Sequence, residues 1–154
     1  MTSPFWRFDT GDADVMPRHV ARVDVKNHLS ALAHVRAALA EFVGPHHVPP
    51  AVVLEVGLAV EEIVTNVISH GFADERDELI TVRFSFEAGV MTVEVEDEGQ
   101  PFDPLQVAAP DITRSLDERA VGGLGIHLVR SVMDDVAYSR RNGRNVVLMK
   151  KAVR

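Results

Sequence analysis

Apolar residues recur along this chain with two distinct periods, and the switches between them outline its elements. Between His19 and Val25, Ala21, Val23 and Val25 alternate with Arg22 and Asp24, the period of a half-buried strand. From about Asn27 the period becomes helical. Leu29, Leu32, Val35, Leu39 and Phe42 recur every three or four residues until Gly44-Pro45 ends the run. Pro49-Pro50 starts a second helix, since proline is tolerated in a first turn, and Gly71 stops it after His70. Stepped at ~100° per residue, this helix places Val53, Val56, Val60, Ile63, Val64, Val67 and Ile68 on one broad apolar face. Glu55, Glu62, Asn66, Ser69 and His70 gather in a narrow arc on the other side, with Glu61 outside it toward the apolar face.

The alternation then returns. After an acidic turn from Ala73 to Glu78, Ile80, Val82, Phe84 and Phe86 alternate with Thr81, Arg83 and Ser85. Glu87-Ala88-Gly89 connects this strand to a second, in which Met91, Val93, Val95 and Asp97 alternate with Val90, Thr92, Glu94 and Glu96, so the two form a hairpin. Residues 105–121 have no clear period, which in a compact domain marks a functional lid or a disordered segment. Gly122-Gly123-Leu124-Gly125 opens a last helix with Leu124, Leu128, Val129 and Val132 as its expected buried side and His127 structural or solvent-facing. Val136 to Arg140 and Val146 to Ala152 read as strands around an Asn142-Gly143 turn. Residues 1–18 are irregular, with Phe5, Trp6 and Phe8 as apolar pegs. His28, His34, His46 and His47 are expected at the surface, and Arg140, Arg141, Arg144, Lys150 and Lys151 are expected to keep a sheet edge soluble.

Composition narrows the class. The 154 residues suffice for one domain with a substantial core. The absence of cysteine excludes a disulfide framework and thiolate metal sites and fits a cytoplasmic location. There is no signal-peptide pattern, and no apolar run approaches the ~20 residues of a membrane span. A formal charge of −7 with scattered basic residues speaks against direct nucleic-acid binding and favours a protein or small-molecule partner.

Three places carry candidate chemistry. Glu62, Asn66 and His70 follow one another at i, i+4, so their side chains can converge. They form either a solvated stripe or a polar site, with an amide oxygen for a hard cation and a carboxylate as a base. Asp97 ends its strand on the face of Met91, Val93 and Val95, a costly position for a carboxylate without hydrogen bonds. Gly99, two residues on, lets the backbone turn or approach a ligand closely. The glycines before the last helix offer exposed amides and a positive dipole end to a phosphate. Each feature alone also has an ordinary structural reading.

Taken in order, Glu62-x3-Asn66, Asp97-x-Gly99, an irregular loop and Gly123-x-Gly125 resemble the nucleotide-binding fold of histidine kinases, type II topoisomerases, heat-shock chaperones and MutL-type proteins. Within that superfamily the sequence is most similar to the small bacterial anti-sigma factor serine-protein kinases. Glu62 to Asn66 with His70-Gly71 looks like their N box. Asp97-Glu98-Gly99 with Pro101 to Pro104 looks like their first glycine box, and Gly122 to Val129 with Met133-Asp134 looks like their second. The likeness runs from about residue 20 to the end.

The resemblance implies roles. Asn66 would give an oxygen to Mg²⁺ on the phosphates of ATP, and Glu62 would be the general base toward a serine or threonine hydroxyl. Asp97 would accept from the adenine amino group, and Gly99 would allow the base close. Gly123, Leu124 and Gly125 would hold phosphates, Thr65 would add a hydroxyl, and Arg114 or Arg119 would reach the γ-phosphate from an ATP lid at about 104–121. The implied fold is an α/β (α+β) two-layer sandwich of the Bergerat type: residues 19–154 form a mixed, mainly antiparallel sheet with helices on one face. The implied function is an ATP-dependent serine/threonine kinase that phosphorylates a STAS-type anti-anti-sigma factor and sequesters a sigma factor, as a homodimer. A nucleotide-responsive binding module without phosphotransfer is the alternative. A histidine-kinase catalytic domain or a chaperone-type ATPase fits less well, because the chain leaves no room for a phosphoacceptor hairpin or further domains.

Overall fold

A computed structural model describes residues 19–70, 77–106 and 123–154. The expectations for residues 1–18, for most of the acidic turn and for the lid beyond Gln106, with Arg114 and Arg119, lie outside the described residues. The elements follow the two periods of the sequence. They are β1 (His19–Lys26), α1 (Ala31–Val43), α2 (Pro50–His70), β2 (Leu79–Glu87), β3 (Val90–Asp97), α3 (Gly123–Val132), β4 (Asp135–Arg141) and β5 (Arg144–Ala152). Single 3₁₀ turns occupy Gly44–His46 and Pro104–Gln106.

The strands form one five-stranded sheet in the order β1-β2-β3-β5-β4. Every pairing among the described residues is antiparallel. Two hairpins are closed by residues with positive φ, Ala88 (50°) with Gly89 (77°) and Asn142 (53°) with Gly143 (75°). Two successive left-handed residues twist the turn in the sense the strands require. The connection from β3 through α3 carries the chain past β5 to the edge strand β4, so β5 returns to the middle of the sheet. That crossover sets Asn145 of β5 directly opposite Asp97 of β3.

Period-2 alternation puts Val23, Val82, Phe84, Met91, Val93, Val95 and Met149 on one face of the sheet, where each is buried beneath the helices. Phe42 of α1 stacks on Phe84 with ring centroids 5.8 Å apart. From α2, Val56, Ala59, Val60, Ile63 and Val64 are almost wholly enclosed. Full burial of each large apolar side chain is worth roughly 1.5–3 kcal/mol, so α2, the most deeply seated helix, anchors whatever it carries. Its first turn is closed by Val53 N–H donating to the Pro49 carbonyl at 3.1 Å.

Several side chains depart from the sequence pattern. Leu29 precedes α1, which begins at Ala31, and is 63% exposed. The buried side of α3 is Ile126 and Val129, continued by Met133, while Leu128 and Val132 are only half-buried. The helix is rotated relative to the expected face because it packs against α2 as well as the sheet. His46 is half-buried against His19, Phe42 and Phe86, with centroids 4.8, 5.1 and 4.9 Å away. Burial, followed by the neighbouring His19 and His47, holds its pKa below the usual histidine value. The C-terminal basic residues do not line one edge. Arg144 pairs with Glu96 at 2.6 Å and Glu98 at 2.8 Å, and Lys151 pairs with Glu55 at 2.9 Å.

Candidate functional site

The site begins where β3 ends. Asp97 points inward, as the alternation requires, and is 4% exposed. Its Oδ1 accepts the Gly99 backbone N–H at 2.8 Å and Asn145 Nδ2 at 3.1 Å. Burial pushes the Asp97 carboxyl above the usual aspartate range, although the bonds from Asn145 and Gly99 and the nearby Arg140 pull the other way. Both bonds from described residues fall on one oxygen, so Oδ2 is the acceptor left for a ligand's N–H.

Asn145, which sequence reasoning passed over, is the hub of this end of the sheet. It is 4% exposed. Besides Asp97, its Nδ2 donates to the Gln100 carbonyl at 2.8 Å. Its Oδ1 accepts Tyr138 O–H at 2.6 Å, Arg140 Nη1 at 2.9 Å and Phe102 N–H at 3.4 Å. Arg140 also donates to the Gly99 carbonyl at 3.2 Å, so the Gly99 backbone is held at both of its polar groups. The clue available in sequence was the inward phase of β5, which puts a carboxamide in line with Val147 and Met149.

A pocket opens between this hub and α2. Ile63, Asn66, Val67, Phe102 and Pro104 complete its lining with Asp97, Asn145 and Val147. Its free volume is about 10 Å³, room for about one water. A space of that size does not hold a flat heterocycle. Phe102 lies against the His70 ring at 5.4 Å, and Gln100 Nε2 donates to the His70 carbonyl at 3.1 Å.

On α2 the polar arc divides in a telling way. Glu61 pairs with Arg36 of α1, and Glu55 pairs with Lys151, which also donates to the Val132 carbonyl at 2.6 Å. Glu62 and Asn66, one turn apart, make no hydrogen bond or ion pair among the described residues. Asn66 is nevertheless 9% exposed and faces the pocket. Glu62 is half-buried against α3, its carboxylate beside Gly125. Thr65 is half-buried on the same helix. Gly123 is the first residue of α3, and the Leu124 side chain lies outside the described residues, as does Arg119. Of the sequence candidates, Asp97 and Asn66 thus line one pocket, Gly99 is bonded to Asp97, and Glu62 meets Gly125 in a second groove.

Among the described residues no group of three or more His, Asp or Glu could hold a metal ion by itself. The oxygen donors present suit a hard cation that brings most of its ligands with it, as Mg²⁺ does on phosphates. The arrangement can therefore offer an acceptor to a base amine, one amide oxygen to a cation and one carboxylate, unpaired among the described residues, to a proton.

Comparison with known proteins gives this geometry a context. Residues 25–151 match the family described as the histidine kinase-like ATPase domain. The chain is 32% identical over 88 residues to the serine/threonine-protein kinase BtrW of Bordetella bronchiseptica, covering 57% of this chain and 62% of that protein. It is 32% identical over 100 residues to the serine-protein kinase RsbW of Listeria monocytogenes, covering 62% and 64%. The matched stretch thus spans less than two thirds of either kinase. The anti-sigma F factor of Clostridium novyi is 30% identical over 125 residues, covering 75% of this chain and 82% of that protein. Among solved structures, the RsbU and RsbW domains of a Mycobacterium tuberculosis protein superpose with a TM-score of 0.61 at 16% identity, over 86% of this chain and 32% of that one. The histidine kinase domain of a blue-light activated kinase from Erythrobacter litoralis gives 0.52 at 19% identity, over 94% and 66%. These two likenesses bear on the fold alone.

Proposed function

The chain belongs to the histidine kinase-like ATPase domain family, and from that premise we propose that it is an ATP-dependent serine/threonine protein kinase acting as an anti-sigma factor. Its acceptor is a serine or threonine of a STAS-type anti-anti-sigma protein, and it sequesters a sigma factor, working as a homodimer. The names of its relatives, serine-protein kinase and anti-sigma F factor, support this reading. The observation that carries it is the pair Glu62 and Asn66. Both are partly withdrawn from water and neither has a protein partner among the described residues, although the adjacent Glu55 and Glu61 are paired. Side-chain oxygens that line a pocket or groove with no partner among the described residues are available to a ligand.

In this reading Asp97 Oδ2 accepts from the adenine amino group, and Gly99 lets the base approach. Gly123, Leu124 and Gly125 bring backbone amides to the phosphates at the start of α3. Asn66 would give its amide oxygen to Mg²⁺, which would supply positive charge to neutralise the phosphates. Thr65 adds a hydroxyl beside Asn66, and the roles of an ATP lid for 104–121 and of Arg119 toward the γ-phosphate fall on residues that, beyond Gln106, lie outside the described ones. Glu62 takes the proton from the acceptor hydroxyl as its oxygen bonds to the γ-phosphorus and the bond to the ADP oxygen breaks. Exposed Leu54 (63%) and Leu58 (38%) on the outer side of α2 suit a protein partner better than water. No described helix is long and apolar enough to cross a membrane.

Thermal unfolding with and without Mg²⁺-ADP tests the nucleotide site. A ligand at 100 times its Kd adds about 2.7 kcal/mol, which raises the midpoint in the wild type and not in Asp97→Asn. An unshifted wild type removes the kinase reading.

A further inference from the structure

Gly125 stands where α3 passes Glu62, and the two residues share one volume. A Cβ built on Gly125 collides with Glu62 Oε2 and comes within 3.0 Å of Cδ and 3.7 Å of Cγ. Among the described residues Glu62 has no hydrogen bond or ion pair, and the bare Gly125 backbone of α3 lies against its carboxylate. We propose that Gly125 is a positioning residue for phosphotransfer: the side chain it lacks leaves the space that the Glu62 carboxylate occupies. The consequence for transfer rests on the kinase reading above, while the contact itself does not.

The backbone of Gly125 is helical and shows no positive φ, so conformational need does not explain the glycine. Space does. The far end of a flexible side chain meets the added methyl, and it can rotate away while both helices stay in place. A larger residue at 125 therefore moves the base rather than unfolding the domain. The movement matters because Glu62, Gly125, His127, Leu128 and Ser131 line an open groove of about 350 Å³. Through it a hydroxyl on another protein can reach the carboxylate, in a groove that shares no lining residue with the Asp97 pocket. Glycine at this point thus serves the acceptor end of the reaction, separately from any backbone contact with phosphate.

Two measurements test this. The first is a melting cycle without nucleotide on wild type, Gly125→Ala, Glu62→Ala and the double variant. Alanine favours a helix over glycine, and the gain appears in full only when Glu62 no longer occupies the space. Gly125→Ala is therefore expected to raise the midpoint more in the Glu62→Ala background than in the wild type. Equal shifts in the two backgrounds would overturn the contact. The second measures ADP affinity by calorimetry and transfer from labelled ATP to the STAS-type acceptor. Gly125→Ala is expected to lower transfer by at least ~10-fold more than it weakens ADP binding. ADP affinity falling in step with transfer would overturn the positioning role in favour of a phosphate contact. If the melts couple but wild type labels no acceptor, the transfer role fails with the kinase reading, and only the steric contact stands.

Discussion

Asn145 donates from Nδ2 to Asp97 Oδ1 at 3.1 Å, joining two residues 48 positions apart that face each other across β5 and β3. The bond belongs to a larger arrangement, because the same carboxamide holds Tyr138, Arg140, Gln100 and Phe102. One side chain therefore fixes the orientation of the buried carboxylate and the path of the chain leaving β3.

Removing that carboxamide leaves several enclosed polar groups unpaired at once. An unsatisfied buried group costs about 1–3 kcal/mol, and relaxation of the exposed arginine recovers part of the total. Asn145→Ala is expected to lower unfolding stability by ~2–4 kcal/mol, read from the urea midpoint. A change under about 0.5 kcal/mol, the range of ordinary surface substitutions, would contradict the hub.

The Asp97 carboxylate costs the folded protein stability at neutral pH. Burial raises its pKa in the folded state, so the folded protein holds this proton more tightly than the unfolded chain does. Stability is lost as pH rises from the unfolded pKa through the folded one, and the full cost persists above it. Asp97→Asn keeps an oxygen for Gly99 and Asn145 without the charge. Its nucleotide-free midpoint at pH 7 is expected about 2–5 °C above wild type, with the gap closing as the pH is lowered through the folded pKa. An Asp97→Asn protein that melts below wild type at pH 7 would contradict this.

Glu96 runs the opposite way. Burial pushes its carboxyl up, but bonds from Arg144 and then Arg83, at 2.6 and 3.1 Å, outweigh it and hold the pKa below the usual glutamate range. Its contribution is present above the unfolded pKa and disappears as pH falls through the folded one. Because the arginines are partly exposed, Glu96→Gln should cost only ~0.5–1 kcal/mol at neutral pH. In pH-dependent melts at low and high salt, the loss should shrink in acid and in salt. A loss unchanged by both would rule out an ion pair as its source.

How much of this was legible in sequence depends on the range of the interaction. Alternation in β3 put Asp97 on the buried face, and helical spacing put Glu62 and Asn66 one turn apart. Both follow from local geometry, and the structure agrees with both. The role of Asn145 comes from strand register across a crossover, which no local pattern encodes. The meeting of Glu62 with Gly125 is equally a matter of helix packing. Leu29 continued the helical period yet fell in the exposed turn before α1, and His46 looked like a loop histidine yet entered an aromatic cluster, where tertiary packing overrode the local signal.

Transfer of labelled γ-phosphate from ATP to a STAS-type acceptor by wild type, Glu61→Gln and Glu62→Gln, with ADP affinity measured alongside, tests the account most directly. The two adjacent carboxylates differ in that Glu61 is paired with Arg36 and Glu62 has no partner among the described residues. Label on a serine or threonine is expected with wild type and Glu61→Gln, with transfer slowed ~10²–10⁴-fold by Glu62→Gln and ADP affinity unchanged. Undiminished transfer by Glu62→Gln, or no label from wild type that binds nucleotide, would contradict it.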